Sequence, residues 1–538
     1  MQKFIFISLF VLAFMLSCKD KKNYSFENSL IPKPLELEFK NGELEVQENI
    51  YIVRNDVRIE SSRVLNFAKN YFAGVYNVKI VPEIQKDGTN IVFEISGEGD
   101  NESYNLDIDK DGIKLSSPDY NGLFLGFQTL RQLFPPELEA KEKPETVKLP
   151  YVSIKDSPRF KYRGMHMDVC RHFFSVEDVK TYIDMLVMHK FNILHWHLTD
   201  DQGWRIEIKA LPKLSSIAST RRGTVIKQNW GEYDEIPVSG IFTQEQIREI
   251  VEYAEDRFIT IIPEIEMPGH ALAALAAYPE LGCTGGPYEV CRTWGVFDDV
   301  FCAGNEETFK FFEKVIDEVV ELFPNSPYIH VGGDECPKVR WEECPKCQQR
   351  IIDENLADEH ELQSYFVTRM EKYINSKGKR IIGWDEILEG GLAPHATVMS
   401  WRGTEGAVAA AKLGHDAILC PTNYCYFDYY QSEDKENEPL AICCYISTEK
   451  VYSWEPIPDS IPEYQRKHFL GVQANLWAEY IKDFSHLQYM AFPRMTALSE
   501  VAWCTERDPD YAQFKKRLQV MFKRYDKAGY NYAKHEQE

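Results

Sequence analysis

Two adjacent carboxylates, Asp334 and Glu335, follow a pair of glycines at the end of the apolar run Tyr328-Ile329-His330-Val331. On a regular strand neighbouring side chains point to opposite faces, so an uninterrupted strand would keep the two acids apart. Gly332 and Gly333 free the backbone to leave strand geometry and bring both to one mouth. An isolated Asp-Glu pair reads more readily as a polar strand end turning into a loop. Here, however, seven other apolar runs end in similar residues. Those ends supply Arg171 and His172, Asp200 and Asp201, the stretch Glu264 to His270, Trp384-Asp385-Glu386, Trp401 and Arg402, Asn423 to Tyr430, and Trp477 with Glu479. Carboxylates and Arg grip hydroxyls in pairs, and indoles stack on sugar faces. The inventory therefore suits acid/base chemistry on a polyhydroxylated, flat-faced ligand.

The elements that must position these groups follow a regular rhythm. Apolar runs lie at residues 162–169, 192–198, 259–265, 328–331, 380–384, 397–401, 417–419 and 471–477, with helical patterns such as 176–190, 243–257 and 306–322 between most of them. Eight strands alternating with helices predict an α/β fold, a (β/α)8 barrel over residues 156–505 with its site at the C-terminal strand ends. A doubly wound open sheet is the alternative, but no Gly-rich nucleotide turn follows the first strand. Residues 25–155 read as a small α+β domain, with β-like runs at 51–53, 78–81, 91–95 and 113–115 and helices at 61–75 and 121–134. Pro135-Pro136 and the charged stretch to Lys148 read as its linker, and residues 506–538 as a C-terminal helical segment on the barrel.

The chain of 538 residues carries 61 basic and 84 acidic side chains, a net charge of −23, which argues against nucleic acid and anionic membrane surfaces as partners. Lys3, the apolar run from Phe4 to Leu16 and then Ser17-Cys18 have the form of a bacterial lipoprotein signal (residues 1–17). Lipidation at Cys18 is expected, with residues 18–24 as a tether and the protein exported and anchored to a bacterial membrane, periplasmic or at the cell surface. Twelve further cysteines remain. Cys344 and Cys347 have the spacing of a zinc knuckle but lack a second such pair, so with Cys336 they read as a local disulfide or free thiols. Cys283 and Cys302 flank a Gly-rich loop and are candidates for a bridge.

Four blocks, 163–173 (RGMHMDVCRHF), 195–205 (HWHLTDDQGWR), 263–270 (PEIEMPGH) and 330–335 (HVGGDE), resemble the signature blocks of family-20 glycoside hydrolases, the β-N-acetylhexosaminidases. The resemblance runs in order across residues 25–504. It implies removal of terminal β-linked N-acetylglucosamine or N-acetylgalactosamine from glycans, without metal or organic cofactor. By the same resemblance Glu335 is the general acid, Asp334 holds the N–H of the 2-acetamido group, and Tyr426 bonds its carbonyl oxygen, which attacks the anomeric carbon. To act near neutral pH the acid must hold its proton, and a desolvated, acid-crowded pocket is expected to raise the Glu335 pKa in that direction. Arg171 would fork onto the 3- and 4-hydroxyls, with Asp428 and Glu479 at the far rim. Trp384, Trp401, Trp454 and Trp477 would wall the acetamido group and the sugar face, and Asp200 and His270 would orient Glu335. Tyr426 is chosen among Tyr424, Tyr429 and Tyr430 by the resemblance alone. Arg171 by itself fits a strand-end salt bridge, Trp384 and Trp401 fit rim packing, and His270 fits a helix cap.

Two other functions fit parts of the pattern. His195 and His197 share a strand face, as metal-ligand pairs do, and with Asp200, His330 and Asp334 would make a barrel metal hydrolase. A catalytically silent glycan-binding lipoprotein would keep the wall residues, but it has no use for a proton donor such as Glu335.

Overall fold

The computed structural model describes residues 28–54, 61–96 and 99–537; Cys18 and the rest of the expected lipoprotein signal lie outside them. The chain first builds a sheet from seven strands: β1 (Glu36–Glu45), β2 (Asn49–Arg54), β3 (Asn77–Val81), β4 (Thr89–Ile95), β5 (Tyr104–Asp109), β6 (Gly112–Ser117) and β7 (Lys148–Asp156). Their order is β1-β7-β5-β6-β4-β2-β3, antiparallel at the β1 end and parallel from β6 onward. Helices α1 (Ser61–Phe72) and α2 (Tyr120–Leu133) pack together through Phe67 and Phe124, whose rings meet edge-on at 4.8 Å. Asp119 caps α2 by accepting from the Gly122 N–H at 2.7 Å.

One expectation is corrected here. The stretch from Pro135 to Lys148 is not the linker to the barrel. It makes a short 3-10 turn (Pro136–Ala140) and returns to the sheet as β7, pairing with β1 and β5.

All eight apolar runs of the second region form strands: β8 (Tyr162–Asp168), β9 (Ile193–His197), β10 (Thr260–Glu264), β11 (Tyr328–His330), β12 (Arg380–Trp384), β13 (Thr397–Ser400), β14 (Ala417–Leu419) and β15 (Phe469–Ala474). They close into a parallel barrel, β15 pairing back onto β8. The intervening helices are locally specified. Ser175 and Asp178 form a capping box before helix Val176–Met188, and Thr243 with Gln246 does the same for Gln244–Glu255. In Glu306–Leu322, the buried Phe309, Phe312, Ile316 and Val319 recur at helical spacing and turn one stripe inward.

The two units share a buried polar joint. Asp156, at the end of β7, accepts from Lys190 Nζ at 3.0 Å and from Trp503 Nε1 at 2.9 Å. The C-terminal helix Tyr511–Ala528 touches both units: Arg524 donates to Gln132 O at 2.6 Å in the small domain, while Tyr525 Oη lies 2.7 Å from His189 Nε2 on the barrel. Cys283 and Cys302, expected as a bridge, are both free; the one disulfide among the described residues joins Cys443 and Cys444.

Candidate active site

Beyond β11 the backbone turns sharply out of strand geometry. Gly332 and Gly333 have φ of 64° and 93°, and Glu335 itself sits at 44°. A Cβ at position 332 would collide with the Glu266 carboxylate, so glycine is required there by space as well as by conformation. Glu335 has no such licence, and its left-handed backbone is strain held in place by its surroundings. The turn brings Asp334 and Glu335 to one cavity of about 680 Å³, at the C-terminal ends of the barrel strands. Arg171, His270, Trp401, Tyr426, Asp428, Trp477 and Glu479 line the same cavity.

Behind the acid pair runs a chain of charges. His197 Nε2 lies 2.7 Å from Asp200 Oδ2, and its Nδ1 bonds Glu264. Asp200 Oδ1 is 3.3 Å and Asp201 Oδ2 2.9 Å from His270 Nδ1. The other nitrogen of His270 stands 3.7 Å from both Asp334 Oδ2 and Glu335 Oε2. Burial alone would lower the pKa of both histidines. The flanking carboxylates overcome it, lifting His197 to about 10 and His270 well above the ordinary value, so both are cations.

This reverses one expectation. An acid-crowded pocket was expected to raise Glu335. The nearby His270 imidazolium instead holds it below the usual glutamate value, against the opposing pull of partial burial. Crowding raises its neighbours: burial, and then repulsion from Asp334, lift Glu266 well above the usual value and Glu386 to about 8.

Arg171 is gripped on three sides: Asp200 at 2.8 Å, Asp168 at 3.3 Å and Gln202 at 3.0 Å, with its guanidinium 5.0 Å from the centre of the Trp477 ring. At the far rim, burial raises both Asp428 and Glu479, Asp428 further through the charge of Glu479. Asp334 Oδ1, Asp428 Oδ1 and Glu479 Oε2 are buried and bond nothing within the protein. Buried polar atoms are ordinarily satisfied. Three orphaned carboxyl oxygens on one cavity mark where ligand hydroxyl or amide donors fit. Trp401 faces Tyr426 at 6.1 Å and donates to Glu386 Oε2 at 2.9 Å. Burial keeps the Tyr426 phenol protonated.

Two of the expected walls stand elsewhere. Trp454 is buried against Tyr424, their rings stacked at 5.4 Å, and does not line the cavity; Ile442 and Cys443 line that part of the rim. The segment between Asp428 and Trp454 reaches the rim first and leaves Trp454 behind it. Trp384 is 1% exposed and donates to Glu264 Oε1 at 2.9 Å, backing Trp477 rather than lining the cavity. The histidines of the alternative metal set, His195, His197 and His330, converge on Glu264 beneath the cavity rather than on Asp334. Sequence reasoning missed Trp294 on the rim. It placed Glu264, Glu266 and Glu386 at the strand ends but gave them no individual role, and they lie buried beneath the acid pair.

The sequence model of the glycosyl hydrolase family 20 catalytic domain matches residues 160–506, and that of the family's domain 2 matches residues 27–157. This chain belongs to glycosyl hydrolase family 20. The small sheet domain is the family's second domain. Among relatives, it is 51% identical to a β-hexosaminidase of Porphyromonas gingivalis over 80% of this chain and 54% of that one, so it spans about half of that relative's length. It is 36% identical to a β-hexosaminidase of Vibrio furnissii over 88% and 76% of the two chains. Among solved structures, the family 20 exo-β-N-acetylglucosaminidase of Vibrio harveyi in complex with N-acetylglucosamine superposes with a TM-score of 0.81 at 31% identity, covering 94% of this chain and 78% of that one. The β-N-acetylhexosaminidase of Bacteroides fragilis gives 0.80 at 30% identity, covering 94% and 96%.

Proposed function

We propose that this family 20 hydrolase is an exo-acting β-N-acetylhexosaminidase that releases terminal, non-reducing β-linked N-acetylglucosamine or N-acetylgalactosamine, with retention of configuration and with the substrate's own acetamido oxygen as nucleophile. The observation that carries the reading is the adjacency of Asp334 and Glu335 on one side of the cavity. A retaining glycosidase that forms a covalent adduct places acid and nucleophile about 5 Å apart across the bond. Neighbouring residues cannot flank it in that way. The remaining lining carboxyls, Asp428 and Glu479, have raised pKa values, which suits holding hydroxyls and not attack.

The steps then follow from the side chains. Glu335 protonates the glycosidic oxygen as the bond to the anomeric carbon breaks. The acetamido carbonyl oxygen forms the new bond to that carbon, a tethered attack that replaces a bimolecular one at high effective molarity. Asp334 accepts the acetamido N–H and stabilises the positive charge growing on the nitrogen, while the protonated Tyr426 donates to the carbonyl oxygen. Glu335, now a carboxylate, takes a proton from water as the water opens the oxazolinium ring, which restores the acid. The Glu335 pKa is low in the free site, where its side chain is 38% exposed. A sugar seated over it removes that water and favours the neutral acid the first step needs.

The apolar run Phe4 to Leu16 and Ser17-Cys18 support a further proposal, export and lipid anchoring at Cys18. Among the described residues no helix is long and apolar enough to cross a membrane. Hydrolysis of an aryl N-acetyl-β-glucosaminide followed by proton NMR tests the main reading. The β-anomer of the free sugar should appear first; first appearance of the α-anomer, or no turnover, would refute it.

A further inference from the structure

Cys283, Cys302, Cys344 and Cys347 arrive from two separate stretches of chain and meet outside the cavity. Their four sulfurs lie within 4.8 Å of one another. Cys283 is 3.8 Å from Cys347, and Cys302 is 3.7 Å from Cys344 and 3.6 Å from Cys347. A disulfide needs sulfurs about 2.05 Å apart, so these are free thiols in contact and not bonded pairs. Zinc–thiolate bonds of about 2.3 Å in a tetrahedron set sulfur–sulfur edges of about 3.8 Å. We propose that these four cysteines hold one zinc ion in a closed, structural site whose ligands are all thiolates.

The backbone around the sulfurs is built for such a group. Cys344 stands at the N-cap position of the nine-residue helix Pro345–Asp353, which places Cys344 and Cys347 at its first turn, where free N–H groups favour negative charge. A Cβ on Gly304 would collide with the backbone of Lys346 and Cys347, so the turn after Cys302 seats directly on the knuckle. Cys302, Cys344 and Cys347 are buried and Cys283 is half-buried, leaving one side for an ion to enter. A purely sulfur ligand set selects zinc over hard cations, and four protein ligands leave no open position for chemistry.

The site lies at a useful place. Cys283 and Cys302 bracket the loop that carries Trp294 to the rim of the cavity, while Cys344 and Cys347 follow the Asp334-Glu335 turn. The ion therefore ties the rim loop to the segment behind the acid pair. It positions the rim and touches no substrate atom.

The full-length chain, expressed in zinc-containing medium and purified without chelator, should carry one zinc per chain by elemental analysis. Protein produced in cobalt-supplemented medium should show sulfur-to-cobalt charge-transfer bands and the intense visible bands of a tetrahedral site. A Cys344→Ser/Cys347→Ser variant should lose the metal, melt at lower temperature and raise KM more than it lowers kcat. If that variant does not fold, the cobalt spectrum and thiol mapping of the unaltered chain still decide. Wild-type protein with little zinc and no tetrahedral cobalt spectrum would overturn the proposal. So would peptide mapping that finds Cys283–Cys347 or Cys302–Cys344 disulfides, or an unchanged zinc content in the variant.

Discussion

The imidazole of His270 stands 3.7 Å from the Glu335 carboxylate, and its charge sets how tightly that acid holds a proton. Asp200 and Asp201 keep the ring cationic from behind against the effect of burial. The sign of a test follows. His270→Asn removes the cation, so the Glu335 pKa rises and the acid stays protonated to higher pH. The alkaline limb of kcat/KM should move upward in the variant, measured on an aryl N-acetyl-β-glucosaminide. A limb that stays in place, or moves to lower pH, would remove His270 from this role.

Glu335→Gln keeps the shape of the side chain and removes the transferable proton. On substrates with poor leaving groups, such as a disaccharide, the rate should fall by at least about a hundredfold. On activated aryl substrates, which barely need protonation, the loss should be much smaller. Equal losses on both classes would argue against the general-acid role.

Asp334→Ala takes away the acceptor for the acetamido N–H and the charge that stabilises the developing cation. We expect kcat to fall by about two to three orders of magnitude. A rise in KM with kcat intact would reduce Asp334 to a binding residue.

The joint between the two units gives a stability prediction. Lys190 is 1% exposed, and Asp156 is its counter-charge. Burial already pulls the Lys190 pKa down, with Asp156 opposing it. Asp156→Ala strands a buried ammonium and should cost about 3–5 kcal/mol of stability. Denaturant unfolding would read this directly, and kinetics well below the melting temperature should change little. A cost below about 1 kcal/mol, the range of exposed pairs, would mean that water reaches the joint.

The barrel was legible because each of its strands is a short, continuous apolar run bounded by chemistry. The small sheet was less so. β1 reads Glu-Leu-Glu-Phe-Lys-Asn-Gly-Glu-Leu-Glu, a half-exposed edge strand whose charges hide its period, and β7 lies directly behind a Pro-rich, charged stretch that resembles a linker. Within the site, Asp334 and Glu335 stood out because two glycines announced a turn. Trp454 was misplaced because counting along a resemblance does not register how a longer loop seats itself, and here Ile442 and Cys443 reach the rim first. The direction of the Glu335 shift was out of reach as well, since it depends on a cationic ring 65 residues away in sequence, at His270. Of the four clustered cysteines, only the Cys344/Cys347 pair has readable spacing; Cys283 and Cys302 are brought in by loop packing.

The central claim is that the substrate supplies the nucleophile. The most direct measurement is kcat/KM for a series of aryl N-acetyl-β-glucosaminides whose acetyl methyl carries from none to three fluorines. Fluorine withdraws electrons from the carbonyl oxygen while changing the size of the group little. If that oxygen attacks the anomeric carbon, the rate should fall steeply with each fluorine. A rate insensitive to fluorination, accompanied by a glycosylated carboxylate in the intact mass spectrum, would contradict the account.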